Sequence, residues 1–320
     1  MTLFGYHASH EQFAPEELRD LVLVAEAAGF DLAKCSDHFQ PFSDRQGQSG
    51  FAFSWIAACL QATRFPIGMI TAPGHRYHPA IVAQAAATLG AMFPGRFWLA
   101  LGSGEAVNES FTGNDWPEKP VRNQILAQSA AVIRALLRGE EVTHHGAITV
   151  TEARLFSRPA QPVPLFGAAI TTDTAAFVAP WADGLLTVGG DPQKVAEVVR
   201  AFRDNGGAGK PVHIQHALSW APDDTTALAE ARHQWGPVVV AGAQSTDLPS
   251  PRDFDRLAAG LSDEALCKAV LITSDIACHV DRLAALAELG DVVHLHHVGR
   301  NQSAFLKDFA PEALARLRAG

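Results

Sequence analysis

The stretch Arg96-Phe97-Trp98-Leu99-Ala100-Leu101, running straight into Gly102-Ser103-Gly104-Glu105, decides the fold. It is almost wholly apolar, too short for a helix and closed by glycine, so it reads as a strand buried on both faces. Such strands belong to parallel sheets covered by helices on either side. Working outward, the same unit recurs. Upstream lie Leu3-Phe4-Gly5-Tyr6, Asp31–Ser36 and Ile67–Thr71; downstream lie Val163–Gly167, Gly184–Val188, Val212–Trp220 and Val292–Val298. Helical patterns separate them. Pro15, Glu16 and Glu17 make a first turn, with proline early and acids at the positive dipole end. Leu18, Leu21, Val22 and Ala25 follow at helical spacing, and Gly29 stops the helix. Further helices are predicted near Pro79–Met92, Val121–Leu137, Asp173–Val178, Pro192–Arg203 and Asp223–Trp235. Eight strands alternating with helices make an α/β protein, and a closed (β/α)8 TIM barrel is preferred to a doubly wound open sheet.

The chain of 320 residues suits a single barrel domain, residues 1–320. Insertions are expected at about 104–120, 139–160 and 236–290. The second holds a hairpin around His144-His145-Gly146, and the third a loop and two helices. Charged residues are 18% and apolar residues 48%, which excludes disorder for most of the chain. Lysine plus arginine is 25 against 34 acids, a net charge of −9 that argues against nucleic acid as a partner. Cys35, Cys59, Cys267 and Cys278 form no Cys-x-x-Cys pair, so neither a zinc ribbon nor a disulfide framework is indicated. The start, Met1 to His7, lacks a basic segment followed by an apolar one, and the uncharged run Pro79–Gly95 is a poor membrane span. A cytoplasmic protein with no membrane partner and a small-molecule substrate is the expectation.

A barrel of this kind carries its active groups just beyond the C-terminal ends of its strands. After the second strand comes Ser36-Asp37-His38-Phe39-Gln40-Pro41-Phe42. His38 could serve as a general base, or Asp37 could be a cap and His38 a core residue. After the fourth strand comes Gly102-Ser103-Gly104-Glu105. Its glycines allow backbone to approach a ligand, and Glu105 could exchange a proton; a plain tight turn is the alternative. The dinucleotide fingerprint is absent, since Val107 takes the place of its third glycine. Phe39, Phe42, Phe51, Phe53 and Trp55 crowd the region after the second strand, as walls for a planar cofactor or as loop packing. His7 and His10, His75 and His78, His213 and His216, and His294, His296 and His297 sit at or beyond other strands. They leave open a metal-dependent barrel hydrolase, although no metal ligand is assigned.

The combination of Gly5-Tyr6-His7-Ala8-Ser9-His10-Glu11-Gln12, Ser36-Asp37-His38-Phe39-Gln40-Pro41, Arg76-Tyr77-His78-Pro79 and Gly102-Ser103-Gly104-Glu105-Ala106-Val107-Asn108-Glu109 resembles the luciferase-like flavin and deazaflavin oxidoreductases. Within them it is most similar to the F420-dependent glucose-6-phosphate dehydrogenase group. The resemblance implies a homodimeric barrel holding FMN or F420 in its mouth, with FMN slightly preferred. It implies hydride transfer between a small organic substrate and that ring, or a reduced-flavin monooxygenase reaction, and leaves a non-catalytic flavin-binding barrel as a further alternative. It makes His38 the base and Glu105 an acid near the ring. Asp37, Phe42, Ser103 and Gly104 become cofactor contacts, and Ala168 and Ala169 admit the cofactor tail. Met69, Ile70 and Ala72 would stand behind the ring, on a β-bulge with a non-proline cis peptide at Met69–Ile70 or Ile70–Thr71. The stretch Thr187-Val188-Gly189-Gly190-Asp191 lacks the lysine that holds a sugar phosphate in that group. Glucose 6-phosphate is therefore not expected as substrate, unless Arg76 or Arg256 supplies the charge.

Overall fold

The computed structural model describes residues 2–241 and 244–319. Its eight barrel strands are β1 (Leu3–Ala8), β2 (Leu32–Ser36), β3 (Ile67–Thr71), β4 (Phe97–Leu101), β5 (Leu165–Ala168), β6 (Gly184–Val188), β7 (Val212–Ser219) and β8 (Val292–His297). Each pairs in parallel with the next in sequence, and β8 pairs with β1, so the sheet closes. Closure removes both sheet edges and rules out the open alternative. A two-residue strand, Leu271–Ile272, adds to β7 outside the ring.

Alternation along each strand divides the interior from the helix layer. Trp98, Ala100, Phe166 and Leu186 pack together inside the barrel, with Ile70 against them. Ile67, Met69, Leu99 and Leu101 belong instead to the large core shared with the helices. Gly68 is small because Trp98 fills the space in front of it: an added Cβ would overlap the indole. Below the mouth, the His294 Nε2 and His213 Nδ1 atoms meet at 3.2 Å beside Trp98. The hairpin Val142–His145 and Thr149–Ala153 forms separately from the barrel.

Four expectations need correction. The aromatic-rich segment after β2 is no simple loop, because Ala52–Ala62 is a helix. Its buried Ala52, Trp55, Ile56, Cys59 and Leu60 recur at helical spacing, and Trp55 Nε1 donates to the Pro15 carbonyl at 3.0 Å. The helix expected to end at Trp235 runs from Asp224 to Ala241 through Pro237. Proline costs it a backbone donor, but Trp235 and Val238 pack on Phe42, Val107 and Phe254, which holds the segment helical. Three helices follow rather than two: Pro251–Ala258, Asp263–Ala269 and Ile276–Ala287. Finally, the described residues contain no cis peptide bond. β3 is regular, in register with β2 to Ile70 and with β4 to Thr71, which leaves no room for the extra residue of a bulge. No described helix is long and apolar enough to cross a membrane.

Candidate functional site

The mouth at the C-terminal ends of the strands holds a cavity of about 360 Å³. The turn after β2 delivers His38 to it. The His38 carbonyl accepts from Ser49 Oγ at 2.7 Å. Asn108 Oδ1 accepts from the backbone N–H groups of Phe39 at 2.9 Å and Gln40 at 3.2 Å. Gln40 Nε2 donates to the Val107 carbonyl at 2.9 Å, so the loops after β2 and β4 are strapped together. That strap brings His38 and Glu105 to one wall, as expected of turns separated by a single strand.

The imidazole stands between two acids. His38 Nδ1 lies 2.5 Å from Glu11 Oε1, and His38 Nε2 lies 3.8 Å from Glu105 Oε2. Phe42 meets the ring edge-on at 4.9 Å. Glu11 is only 2% exposed, and its other oxygen accepts from Ser9 Oγ at 2.7 Å. Burial opposes charge on His38, but Glu11, with help from Glu105, raises its pKa above the ordinary histidine value. Burial pushes the Glu11 carboxyl up, yet its contact with His38 outweighs this and holds it well below the usual carboxylate range. Glu105 moves the other way: burial raises its pKa, partly offset by His38. His38 and Glu105 thus stand together on the cavity wall, with burial and each other's charge setting their proton affinities.

Asp37 is locked beneath. Asp37 Oδ2 accepts from Thr71 Oγ1 at 2.7 Å and lies 3.0 Å from Arg76 Nη2. The Arg76 backbone N–H donates to Glu109 Oε2 at 3.0 Å, and Arg76 Nε lies 3.4 Å from Glu109 Oε1. Burial lifts Glu109 to about 7, against the pull of Arg76. Arg76 is therefore consumed by two acids and by the Asp37 carbonyl, and is not available for a phosphate. Arg256 is no substitute, since it is exposed, paired with Asp253 and not among the residues that line the cavity.

Of the remaining expected cofactor contacts, Ile70, Ala72, Ser103, Gly104, Ala168 and Ala169 line the same cavity as Asp37, His38, Phe42 and Glu105. The wall they make is low. A Cβ placed on Gly102 would meet its nearest neighbours, Ile70 Cδ1 and Ala168 Cβ, at 3.7 and 3.8 Å, ordinary van der Waals contact. Gly104 has a φ of +83°, a conformation that favours glycine. Met69 departs from expectation: alternation turns it outward, into the core shared with the helices. Glu11, the Arg76–Glu109 pair and Lys119 were missed. Lys119 Nζ donates to Ser103 Oγ at 2.6 Å on the cavity rim. The histidines meet in pairs, His213 with His294 and His7 with His296, but among the described residues no group of three His, Cys, Asp or Glu is placed to hold a metal.

A second cavity, about 530 Å³, adjoins the first at Ile170 and Val188. Lys194, Lys268 and Arg282 line it, with the Arg282 guanidinium bonded to the Gly190 carbonyl. Cationic groups thus exist near the mouth even though Gly190 and its neighbours supply none.

The sequence matches the family model described as luciferase-like monooxygenase over residues 1–292. The chain belongs to the luciferase-like family. It is 37% identical to the F420-dependent glucose-6-phosphate dehydrogenase of Microbacterium testaceum, over 98% of this chain and 97% of that one. The same-named protein of Beutenbergia cavernae is 35% identical, over 100% and 98% of the two chains. Among solved structures, an F420-dependent secondary alcohol dehydrogenase in complex with an F420-acetone adduct superposes with a TM-score of 0.91 at 29% identity, covering 99% of both chains. The luciferase-like assignment accounts for the closed barrel and for the place of the cavity at its C-terminal mouth.

Proposed function

We propose that the protein is a deazaflavin-dependent oxidoreductase that moves hydride between a small alcohol and F420. One observation carries the reading: His38 is fixed between Glu11 and Glu105 in the wall of a cavity bordered by small residues. The residues present fit a planar ring with an anionic tail. Gly102, Gly104, Ala72, Ala168 and Ala169 keep a broad face open, and buried Asp37 Oδ1 has no hydrogen-bond partner. Lys119 offers a cation at the rim. The bound deazaflavin would supply the hydride acceptor. Glu11 holds His38 by Nδ1 and leaves Nε2 to take the hydroxyl proton as hydride departs. Glu105 faces the reacting region and orients or exchanges a proton there.

The names of the relatives favour F420, so the slight preference for FMN drawn from the sequence is abandoned. Oxygen-consuming monooxygenase chemistry stays a lesser alternative, and a homodimer is the expected assembly. A second substrate reading has one observation in its favour: Lys194, Lys268 and Arg282 in the adjoining cavity could meet the phosphate of a sugar phosphate. The test of the main reading is His38→Ala. It should bind F420 as the wild type does while losing hydride transfer by about 10²- to 10⁴-fold. Retention of full turnover would sink it.

A further inference from the structure

The floor of the catalytic cavity is an unusual place for a lysine. Lys34 sits inside β2 between the apolar Leu32 and Ala33 and the buried Cys35, and its side chain is fully buried. It faces the interior two residues before Ser36, about 7 Å deeper along the strand. Its Nζ has no hydrogen-bond partner. Across from it, β1 contributes His7 and β8 contributes His296, whose rings touch at 4.1 Å. His296 Nδ1 is engaged by Gln215 at 3.1 Å, and Trp235 packs edge-on against the ring at 4.6 Å. His7 Nδ1 and His296 Nε2 are likewise buried without partners. All three residues line the same cavity as His38. Among the described residues no carboxylate is ion-paired with Lys34: the Glu11 oxygens are taken by His38 and Ser9, so Glu11 acts on Lys34 only through space, and Asp37, although its Oδ1 is free, is paired through Oδ2 with Arg76 and Thr71.

A buried cation with two further unsatisfied polar atoms around one space is costly unless something fills it. The complementary group is a small oxyanion, which accepts several hydrogen bonds and cancels one charge. Burial brings Lys34 down to about 8, so it still carries its proton at neutral pH. A phosphate dianion would overfill one charge, whereas a carboxylate matches it.

We propose that Lys34, His7 and His296 form a carboxylate-binding floor, and that the substrate is a short hydroxy acid. This rests on the deazaflavin reading and names its substrate class. The carboxylate on the floor would hold the neighbouring carbinol beneath His38 Nε2. With oxidised F420 bound, the C–H bond would break and its electron pair would leave as hydride for the deazaflavin. The O–H proton goes to His38, and the hydroxy acid becomes a keto acid.

The test is calorimetric binding of lactate and of its neutral counterpart lactamide, with and without F420. We expect wild-type protein to bind lactate at least about tenfold more tightly than lactamide, the size of one charge-assisted hydrogen bond. In Lys34→Met, which keeps the length of the stem and removes the charge, lactamide affinity should persist and the preference for lactate should vanish. Lys34→Gln should behave alike. Equal affinity for the two ligands in wild-type protein would overturn the proposal whether or not a variant folds, and so would a preference that survives Lys34→Met. Titration of F420 alone reports separately on the cofactor reading, because the lactate comparison is also made on cofactor-free protein.

Discussion

Replacing Glu11 by glutamine removes the charge that sets His38 while keeping the shape of the site. The two side chains are 2.5 Å apart and shielded, with Glu11 only 2% exposed. In the wild type, burial works against a protonated imidazole, and the charge and hydrogen bond of Glu11 overcome it to raise the pKa. An opposite charge this close moves a pKa by about 1–3 units, each worth about 1.4 kcal/mol. Without it, burial prevails and the pKa should fall below the ordinary value. The sign for activity follows from the role: a base must be neutral to accept a proton, so wild-type kcat/KM should rise with pH through a value above the ordinary histidine range. In Glu11→Gln this acid limb should move down by about 1–3 units, with a lower plateau because Nε2 is less basic. Stability should respond in step. A raised histidine pKa stabilises the fold below the unfolded value and loses that contribution as pH rises through the folded one. The stability gap between wild type and variant should therefore narrow with rising pH. The assay is the pH profile of kcat/KM for both proteins; an acid limb that does not move, or moves upward, would refute the reasoning.

Arg76→Met strands Asp37 and Glu109 as buried acids, and chemical denaturation should show a loss of about 3–5 kcal/mol; a loss below about 1 kcal/mol would mean that the pairs carry little. Gly68→Ala drives a methyl into Trp98 and should cost about 1–3 kcal/mol by the same measurement, whereas an unchanged midpoint would contradict the packing described. Gly104→Ala forces a side chain to a φ of +83° with Cβ about 3.0 Å from Trp116, so F420 titration should show weaker binding with the fold intact; unaltered affinity would place the ring elsewhere. Glucose 6-phosphate should give no turnover above background, and turnover abolished by Lys268→Ala would instead establish the sugar-phosphate reading.

Much of the barrel was legible because buried strands announce themselves. Ile67–Thr71 and Gly184–Val188 are apolar runs bounded by breakers, and the structure gives them those bounds. The helix Ala52–Ala62 was not, because aromatic residues on either side of its start hid the spacing of Trp55, Ile56, Cys59 and Leu60. The extension through Pro237 depends on Phe42, Val107 and Phe254, which tertiary packing alone brings beneath it. In the site, His38 and Glu105 could be placed together because strand order fixes which turns are neighbours. Glu11 could not be assigned to His38 by spacing, since 27 residues separate them. Lys34 did leave a signal, a charge in a strand flanked by the buried Leu32, Ala33 and Cys35. Met69 was misplaced by counting along the segment without applying the alternation that turns Gly68 and Ile70 inward.

The central claim is that this barrel mouth binds a deazaflavin. It is tested most directly by titrating the purified protein with F420 and with FMN in parallel, following cofactor fluorescence. The account predicts saturable binding of one F420 per chain, weakened by Gly104→Ala and unaffected by His38→Ala, with FMN bound far more weakly. Tight FMN binding with no measurable uptake of F420 would contradict it.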